Sequence, residues 1–276
     1  MMYKTIGSWT ALKLEYLDHY LQAYRNVTKK APAAYYIDLF AGCGDNRLKN
    51  TGWHVEGSPW RALKAVPPFQ GYFFVEKNPK FAANLDTRIR QSGFNNAEVF
   101  SGDCNDQALD KILSSVSKRA PSFAFLDPSG LQLKWATVEK LAKHRNGPWK
   151  MELLILYPYD MVIRRWIDLP SYVKVLTNFY GDETWREAQS ESKRLMEDVP
   201  TRRRRFIDLY KVKIKSSLGY KYVDDYGPMG YGKRYYYQVI FASDQPIGQK
   251  IMQSVWSKAR AIPGQLDYEL IKRPKQ

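Results

Sequence analysis

The sequence predicts an α/β fold in which a mainly parallel, seven-stranded sheet carries helices on both faces. Short, nearly continuous apolar runs alternate with amphipathic segments over residues 35–157, a pattern typical of strands buried on both faces and joined by crossover helices. The 276 residues are 44% hydrophobic, which is enough for one large domain with an insertion. We therefore expect a single domain over residues 1–276, with a ligand cleft at the carboxyl ends of the strands.

A helix precedes the first expected strand. Over residues 8–26, Leu12, Leu17 and Leu21 recur at three- and four-residue steps together with tyrosines, which predicts an amphipathic helix. Ser8 is expected to cap its N-terminus.

Five strands and four helices then alternate. The apolar runs YYIDLF, GYFFVE, AEVFSGD, SFAFLD and ELLILY predict strands at 35–40, 71–76, 97–103, 122–127 and 152–157. Helices are expected at 57–66, 79–92, 105–118 and 134–144. The first of these begins with Ser58 as the expected N-cap and Pro59 at the first helical position. The polar segment 45–56 is expected to be a loop over the ligand.

The pattern changes after Tyr157. Residues 159–217 are rich in charge and predict a helical, basic insertion. Two further strands are expected at 220–226 and 234–244, joined by the glycine-rich segment GPMGYGK as a hairpin or flexible connection. A final helix is expected over 246–260, and the tail KRPKQ is expected to fray.

The charge of the chain indicates a polyanionic partner. Its 43 basic residues exceed its 28 acidic ones, for a net charge of +15. Such an excess suits nucleic acid or an anionic membrane, and we favour nucleic acid because no apolar run approaches the length of a spanning helix. The N-terminus has no signal-peptide pattern, and the two cysteines and three histidines lack metal-ligand spacing. We expect a cytoplasmic protein without a structural metal, a disulfide framework or a membrane segment.

Four consecutive predicted strands end in a carboxylate, namely Asp38, Glu76, Asp103 and Asp127. Carboxylates collected at one edge of a sheet repel one another, so this arrangement predicts a ligand that satisfies them. Gly42 and Gly44 follow the first strand, where a ligand needs close approach to the backbone. A third glycine at dinucleotide spacing is missing, which argues against a nicotinamide-dependent oxidoreductase.

Each carboxylate has a candidate role and an ordinary alternative. Glu76 can accept both hydroxyls of a ribose, or it can be a solvated residue before a turn. Asp103 can meet an adenine amino group with the small Cys104 beside the ring, or it can cap the helix that follows. Asp127 and the Pro128 carbonyl can converge on an amino group to be methylated, or they can simply begin a Pro-Ser-Gly turn.

A basic stripe is predicted near residue 210. The segment 201–217 carries seven basic residues against one acid, six of the fifteen excess charges. Ile207, Tyr210 and Ile214 form an apolar stripe at helical spacing, and a basic stripe lies beside it. Such a stripe can follow a phosphate backbone, although a solvated helix face gives the same pattern. The candidate nucleic-acid-binding residues are Arg164, Arg165, Arg202, Arg204, Arg205, Lys211 and Lys215.

Taken together, these motifs resemble those of class I S-adenosylmethionine (SAM)-dependent methyltransferases. More closely, the chain resembles the three-Cys-motif partner (TcmP) family in SWTALKLEYLDHYL, YYIDLFAGCG, EGSPWRAL, FFVEKNP, FLDPSGLQLKW and LLILYPYDMVIR. The resemblance implies a Rossmann-like class I methyltransferase fold, SAM as cofactor, and a possible partner protein with a three-cysteine motif. It also implies that Asp127 and Pro128 face the acceptor. The cofactor-binding residues that it implies are Asp38, Phe40, Gly42, Gly44, Glu76, Asp103 and Cys104.

The sequence departs from related motifs after Asp127. Base amino-methyltransferases carry an Asp/Asn-Pro-Pro motif followed by an aromatic residue, and the partner family tends to read DPFG, whereas Ser129 and Gly130 stand here. Trp135, Tyr157 or Tyr159 is the alternative stacking residue. We expect a SAM-dependent methyltransferase that acts on nucleic acid. The alternative is a non-catalytic partner that keeps the fold and binds nucleic acid or protein.

Overall fold

A computed structural model of the chain describes residues 2–231 and 234–260. In those residues the strands are β1 Lys4–Ile6, β2 Tyr35–Asp38, β3 Asp45–Leu48, β4 His54–Glu56, β5 Gly71–Glu76, β6 Ala97–Ser101, β7 Ser122–Leu126, β8 Glu152–Tyr157, β9 Tyr222–Tyr231 and β10 Arg234–Ser243. The α-helices are α1 Ser8–Thr28, α2 Ser58–Leu63, α3 Pro79–Gln91, α4 Gln107–Ser115, α5 Trp135–Lys143, α6 Arg164–Trp166, α7 Val173–Tyr180, α8 Thr184–Arg194, α9 Val199–Leu218 and α10 Pro246–Arg260.

The main sheet has seven strands in the order β6-β5-β2-β7-β8-β10-β9. The pairs β2–β5 and β5–β6 are parallel, whereas β10 is antiparallel to both β8 and β9. The sheet is therefore mixed, because a hairpin of the two last strands enters it beside β8. This order, with helices between the parallel strands, is a Rossmann-like class I methyltransferase fold and confirms the fold class that the sequence predicts.

Most predicted elements lie where the sequence places them, with differences at their ends. The strands 71–76 and 152–157 and the helix 246–260 have the predicted bounds. The N-caps of α1 and α2 are Gly7 and Gly57, so the assignment of Ser8 and Ser58 as caps is wrong. Both serines are already the first helical residue, since the preceding glycine supplies the extended cap conformation.

The expected loop at 45–56 is instead part of a second, three-stranded sheet. Strands β3 and β4 form an antiparallel hairpin, and β1 pairs in parallel with β3, so the order is β1-β3-β4. The side chain of Asp45 is fully buried and forms ion pairs with His54 and Arg88. These buried contacts hold the hairpin in place, although the segment contains few apolar residues.

The chain divides into two compact units. The first comprises the described residues of Met1–Phe123 and Ile247–Gln276, and the second comprises Ala124–Pro246. In the first unit, α1 packs through its tyrosines, with Tyr20 5.4 Å from Phe123 and Tyr16 4.6 Å from Trp256 of α10, measured between ring centroids. The expectation of one domain over the whole chain stays a prediction.

The second unit contains the insertion, which is helical as predicted. A π-helix at Tyr159–Ile163 and a 3₁₀-helix at Pro170–Tyr172 accompany α6 to α9. The predicted apolar stripe of α9, Ile207, Tyr210 and Ile214, is buried.

The segment expected to connect the two last strands is largely strand. Strand β9 continues to Tyr231, with irregular pairing to β10 near Tyr237. Residues 232–233 and the predicted frayed tail 272–276 lie outside the described residues. Among the described helices, none is both long enough and apolar enough to cross a membrane.

Candidate cofactor site

A sharp glycine turn leaves the end of β2. Gly42 and Gly44 both adopt left-handed backbone conformations, with φ angles of 68° and 81°. A Cβ atom on Gly44 would lie 2.8 Å from Leu85 Cδ1 and 2.9 Å from Trp60 Nε1, which is closer than a Cβ atom approaches other non-bonded atoms. The turn thus requires glycine at residue 44 on grounds of conformation and of space.

Asp38 holds the beginning of this turn. Its side chain is fully buried at the last position of β2, and its Oδ1 atom accepts a hydrogen bond of 3.0 Å from the Phe40 amide. This bond bends the chain out of the strand direction two residues after Asp38, which is why β2 ends earlier than the apolar run suggests.

Glu76 is the centre of the candidate site. Its Oε2 atom accepts a 2.8 Å hydrogen bond from the Gly42 amide, and its Oε1 atom accepts one of 2.8 Å from the Asn78 amide. Its backbone carbonyl accepts a 3.1 Å bond from the Gly102 amide, so one residue joins the segments that follow β2, β5 and β6. Each carboxylate oxygen can accept more than one hydrogen bond, so capacity remains for ligand hydroxyls.

Lys4, to which no pattern in the sequence pointed, lies beside Glu76. Its Nζ atom is 3.7 Å from Glu76 Oε2 and 5.5 Å from the centre of the Phe81 ring. A Cβ atom on Gly42 would be only 3.1 Å from this Nζ atom, so the lysine side chain lies directly against the glycine turn. The position of Lys4 beside Glu76 is hard to predict from sequence, because Lys4 belongs to a three-residue strand whose partner strand was expected to be a loop.

Asp103 lies near the turn that follows β5. Its carboxylate accepts bonds of 3.0 Å from Lys77 Nζ and 3.0 Å from the Asn105 amide. Burial raises the pKa of Asp103, but these hydrogen bonds outweigh it and the pKa falls below the usual value. The N-cap of α4 is Asp106, so the alternative role of Asp103 as that cap is wrong.

Both cysteines are buried and free. Burial is the main reason that the pKa of the Cys104 thiol rises to about 12, and it also raises the pKa of Cys43. Neither thiol is therefore activated as a nucleophile at neutral pH.

The expected acceptor residues belong to the second unit. Asp127 and the buried Pro128 directly follow β7, and Ser129 is exposed and accepts a 2.9 Å bond from Gln132. Tyr237 of β10 is buried, and its pKa is raised first by this burial and then by the Asp127 carboxylate. No pattern in the sequence pointed to this tyrosine.

The three aromatic residues named as stacking alternatives are core residues. Trp135, Tyr157 and Tyr159 are all at least nine-tenths buried. The Tyr157 hydroxyl bonds the Tyr180 hydroxyl and lies 3.0 Å from the Phe206 carbonyl oxygen. None of the three exposes a ring face to a base in this structure.

Most of the basic residues on α9 are neutralised within the second unit. Arg202 lies 3.6 Å from Asp168, and Lys211 pairs with Asp225. Arg204 pairs with Asp208 and, at 2.8 Å, with Asp225. Arg205 pairs with Glu197 and, at 2.9 Å, with Glu191. Arg203 and Lys213 pair in the same way with Asp160 and Asp182. Apart from Asp208 of α9 itself, the acidic partners come from other parts of the insertion and from β9, so the local excess of charge in the sequence overstates the charge available to a ligand.

The remaining candidates differ in their surroundings. Arg164 lies 4.0 Å from Asp160, whereas Arg165 and Lys215 are exposed and have no carboxylate partner among residues 2–231 and 234–260. The assignment of all seven residues to nucleic-acid binding stays a prediction.

Comparison with known proteins gives distant structural similarity. No family model matches the chain, and no curated protein matches it. Solved structures that resemble it include an rRNA methylase from Streptococcus thermophilus, 12% identical with a TM-score of 0.41, covering 84% of this chain and 95% of that one. TYW2 from M. jannaschii in complex with AdoMet is 13% identical, with a TM-score of 0.38 and coverages of 82% and 75%. A conserved hypothetical protein from Streptococcus pyogenes is 16% identical, with a TM-score of 0.35 and coverages of 80% and 92%.

Proposed function

We propose that this protein is a SAM-dependent methyltransferase that acts on nucleic acid. The observation that carries the proposal is the position of Glu76, whose two carboxylate oxygens are oriented by the amides of Gly42 and Asn78. A carboxylate fixed in this way next to a glycine turn suits a ribose, because it can accept two neighbouring hydroxyls at once.

The other residues of the first unit fit the remaining groups of SAM. The left-handed backbone of Gly42 and Gly44 permits close approach of a ligand, and Asp103 supplies a carboxylate, kept ionised, for the adenine amino group. Bound SAM would supply an activated methyl group. The protein would contribute mainly geometry and electrostatics, since methyl transfer to a positioned nitrogen needs little covalent help.

Asp127 and Pro128 are the proposed acceptor residues. The Asp127 carboxylate and the Pro128 carbonyl would accept hydrogen bonds from an amino group, orient its lone pair and take up its proton after transfer. The net charge of +15 supports a polyanionic substrate, with DNA and RNA equally compatible.

A second candidate function is a non-catalytic partner that keeps the fold. It is favoured by Ser129, which stands where related motifs carry an aromatic residue, and by the burial of Trp135, Tyr157 and Tyr159. Such a protein would bind nucleic acid, or a partner protein with a three-cysteine motif, without transferring a methyl group.

The proposal is tested by calorimetric titration with SAM, followed by transfer of labelled methyl groups to total RNA and to DNA. We expect micromolar SAM binding and no heat with NAD or NADP.

Replacing Asp127→Ala is expected to reduce methyl transfer at least 100-fold and to leave SAM affinity within about threefold, because the change removes acceptor positioning alone. Equal loss of transfer and binding would contradict the role of Asp127, and SAM binding without transfer to any nucleic acid would favour the second candidate.

Replacing Lys4→Met is expected to strengthen SAM binding severalfold. The Lys4 ammonium partly offsets Glu76 in the empty protein and repels a cofactor whose net charge is positive, and an exposed charge pair of this kind is worth up to about 1 kcal/mol. Titration at low and high salt measures the effect, which should shrink as salt rises. The exposed Lys118→Met is the matched control. Weaker SAM binding by the Lys4→Met variant would instead indicate that the Lys4 ammonium pairs with the carboxylate of the bound cofactor.

A further inference from the structure

The internal pairing of the α9 arginines leaves open where a polyanion would contact the protein. Within the first unit, the three-stranded sheet carries basic side chains of a different kind. Arg47 of β3 and Lys49, two residues later, are exposed, and neither has a carboxylate partner among the described residues. Their charge is therefore available to an external ligand.

The strand register places these side chains on one face. Thr5 of β1, Arg47 of β3 and His54 of β4 are cross-strand neighbours, and all three are exposed. Because alternate residues of a strand share a face, Tyr3 and Lys49 extend the same row along the chain. The opposite face carries Lys4 and the buried Asn46, with Lys4 directed at Gly42 and Glu76.

An aromatic side chain accompanies the basic ones. The Arg47 guanidinium lies 4.3 Å from the centre of the Tyr3 ring, and this ring is 45% exposed. An exposed tyrosine ring beside unpaired cations is a combination that binds single-stranded nucleic acid, since a base stacks on the ring and phosphates meet the cations.

We propose that the surface formed by Tyr3, Arg47 and Lys49 binds single-stranded nucleic acid. This inference rests on the proposed nucleic-acid substrate and names the part of the protein that holds it. The small sheet contacts the cofactor site through Lys4 on its inner face and binds nucleotides on its outer face. The surface is distinct from the residues proposed to hold SAM.

Binding of fluorescein-labelled 15-mers tests the proposal by anisotropy across a salt series, with single-stranded RNA, the same sequence as DNA, and the RNA duplex. The double variant Arg47→Ser/Lys49→Ser is expected to weaken single-strand binding about tenfold and to reduce the salt dependence by the equivalent of one or two phosphate contacts. The variant Tyr3→Ala is expected to weaken binding roughly tenfold with little change in salt dependence, because it removes a stacking ring and no charge.

Two control variants remove similar side chains elsewhere. Lys111→Ser/Lys118→Ser removes two exposed lysines of the first unit, and Trp149→Ala removes a ring that is 47% exposed. Both are expected to bind like the wild type. Equal weakening by the controls, preference for the duplex, or binding of anionic vesicles in place of oligonucleotides would overturn the proposal.

Titration of the same variants with SAM separates this inference from the proposed activity. SAM binding is expected to be unchanged in all of them. If the wild-type protein binds SAM and the surface variants keep full RNA affinity, only the proposed nucleic-acid surface is overturned. If the wild-type protein binds no SAM and the surface variants lose RNA affinity, the proposed methyltransferase activity is overturned and the proposed surface is supported.

Discussion

Replacing Glu76→Ala is expected to lower SAM affinity about 100-fold. The carboxylate is oriented by the Gly42 and Asn78 amides, and it is the proposed acceptor for two ribose hydroxyls. Hydrogen bonds to a charged group contribute about 1.5–3 kcal/mol each, and 1.4 kcal/mol corresponds to a factor of ten in affinity. Titration calorimetry of wild type and variant measures the change.

Loss of Glu76 also leaves two backbone amides without their acceptor, so stability must be measured beside binding. Glu76→Gln keeps the size of the side chain and an acceptor oxygen, and it should fold well while losing at least tenfold in affinity. Glu98→Ala removes an exposed carboxylate from the adjacent strand β6 and should bind SAM like the wild type. Wild-type affinity in a folded Glu76→Gln protein would contradict the proposed cofactor site.

Replacing Gly44→Ala is expected to destabilise the protein by about 2–5 kcal/mol. A left-handed conformation costs an alanine roughly 1–2 kcal/mol, and forcing its methyl group against Leu85 and Trp60 adds about 1–3 kcal/mol. The contacts at 2.8 and 2.9 Å are with the buried side chains of Leu85 on α3 and Trp60 on α2. Relieving these steric clashes therefore requires movement of α2 or α3. Urea unfolding and the Tm measure the loss.

The chain offers a matched control for this change. Gly93 has nearly the same φ angle, 80° against 81°, but a Cβ atom there would have no neighbour within 4 Å. Gly93→Ala should therefore lose only about 1–2 kcal/mol, from conformation alone. Equal destabilisation by the two substitutions would show that space around the glycine turn is not limiting.

The core of the fold could be predicted from the sequence because its signals are local. The apolar runs at 71–76 and 152–157 are strands with the predicted bounds, and all residues of both are buried. Spacing of apolar residues also predicted α1 and the buried face of α9. Strand ends were less accurate, since β2 ends at Asp38 and β6 ends at Ser101, two residues before each predicted end.

Features built from distant contacts could not be predicted in this way. The hairpin β3–β4 depends on the buried Asp45 and its partners His54 and Arg88, which are 9 and 43 residues away in sequence. Lys4 reaches Glu76 only because β1 joins that hairpin. The pairing of the α9 charges depends on distant contacts as well, since several of the carboxylates that pair with them, such as Asp160 and Asp225, lie on other segments.

The packing of Tyr16 against Trp256 has a consequence for the order in which the chain folds during synthesis. The two rings are 240 residues apart, so this packing in the first unit can form only after α10 has left the ribosome. The second unit is continuous in sequence and can form earlier, while α1 still lacks its C-terminal partner. Until α10 emerges, α1 exposes apolar rings that are buried in the finished protein, and this interval is when a nascent chain is most dependent on chaperones.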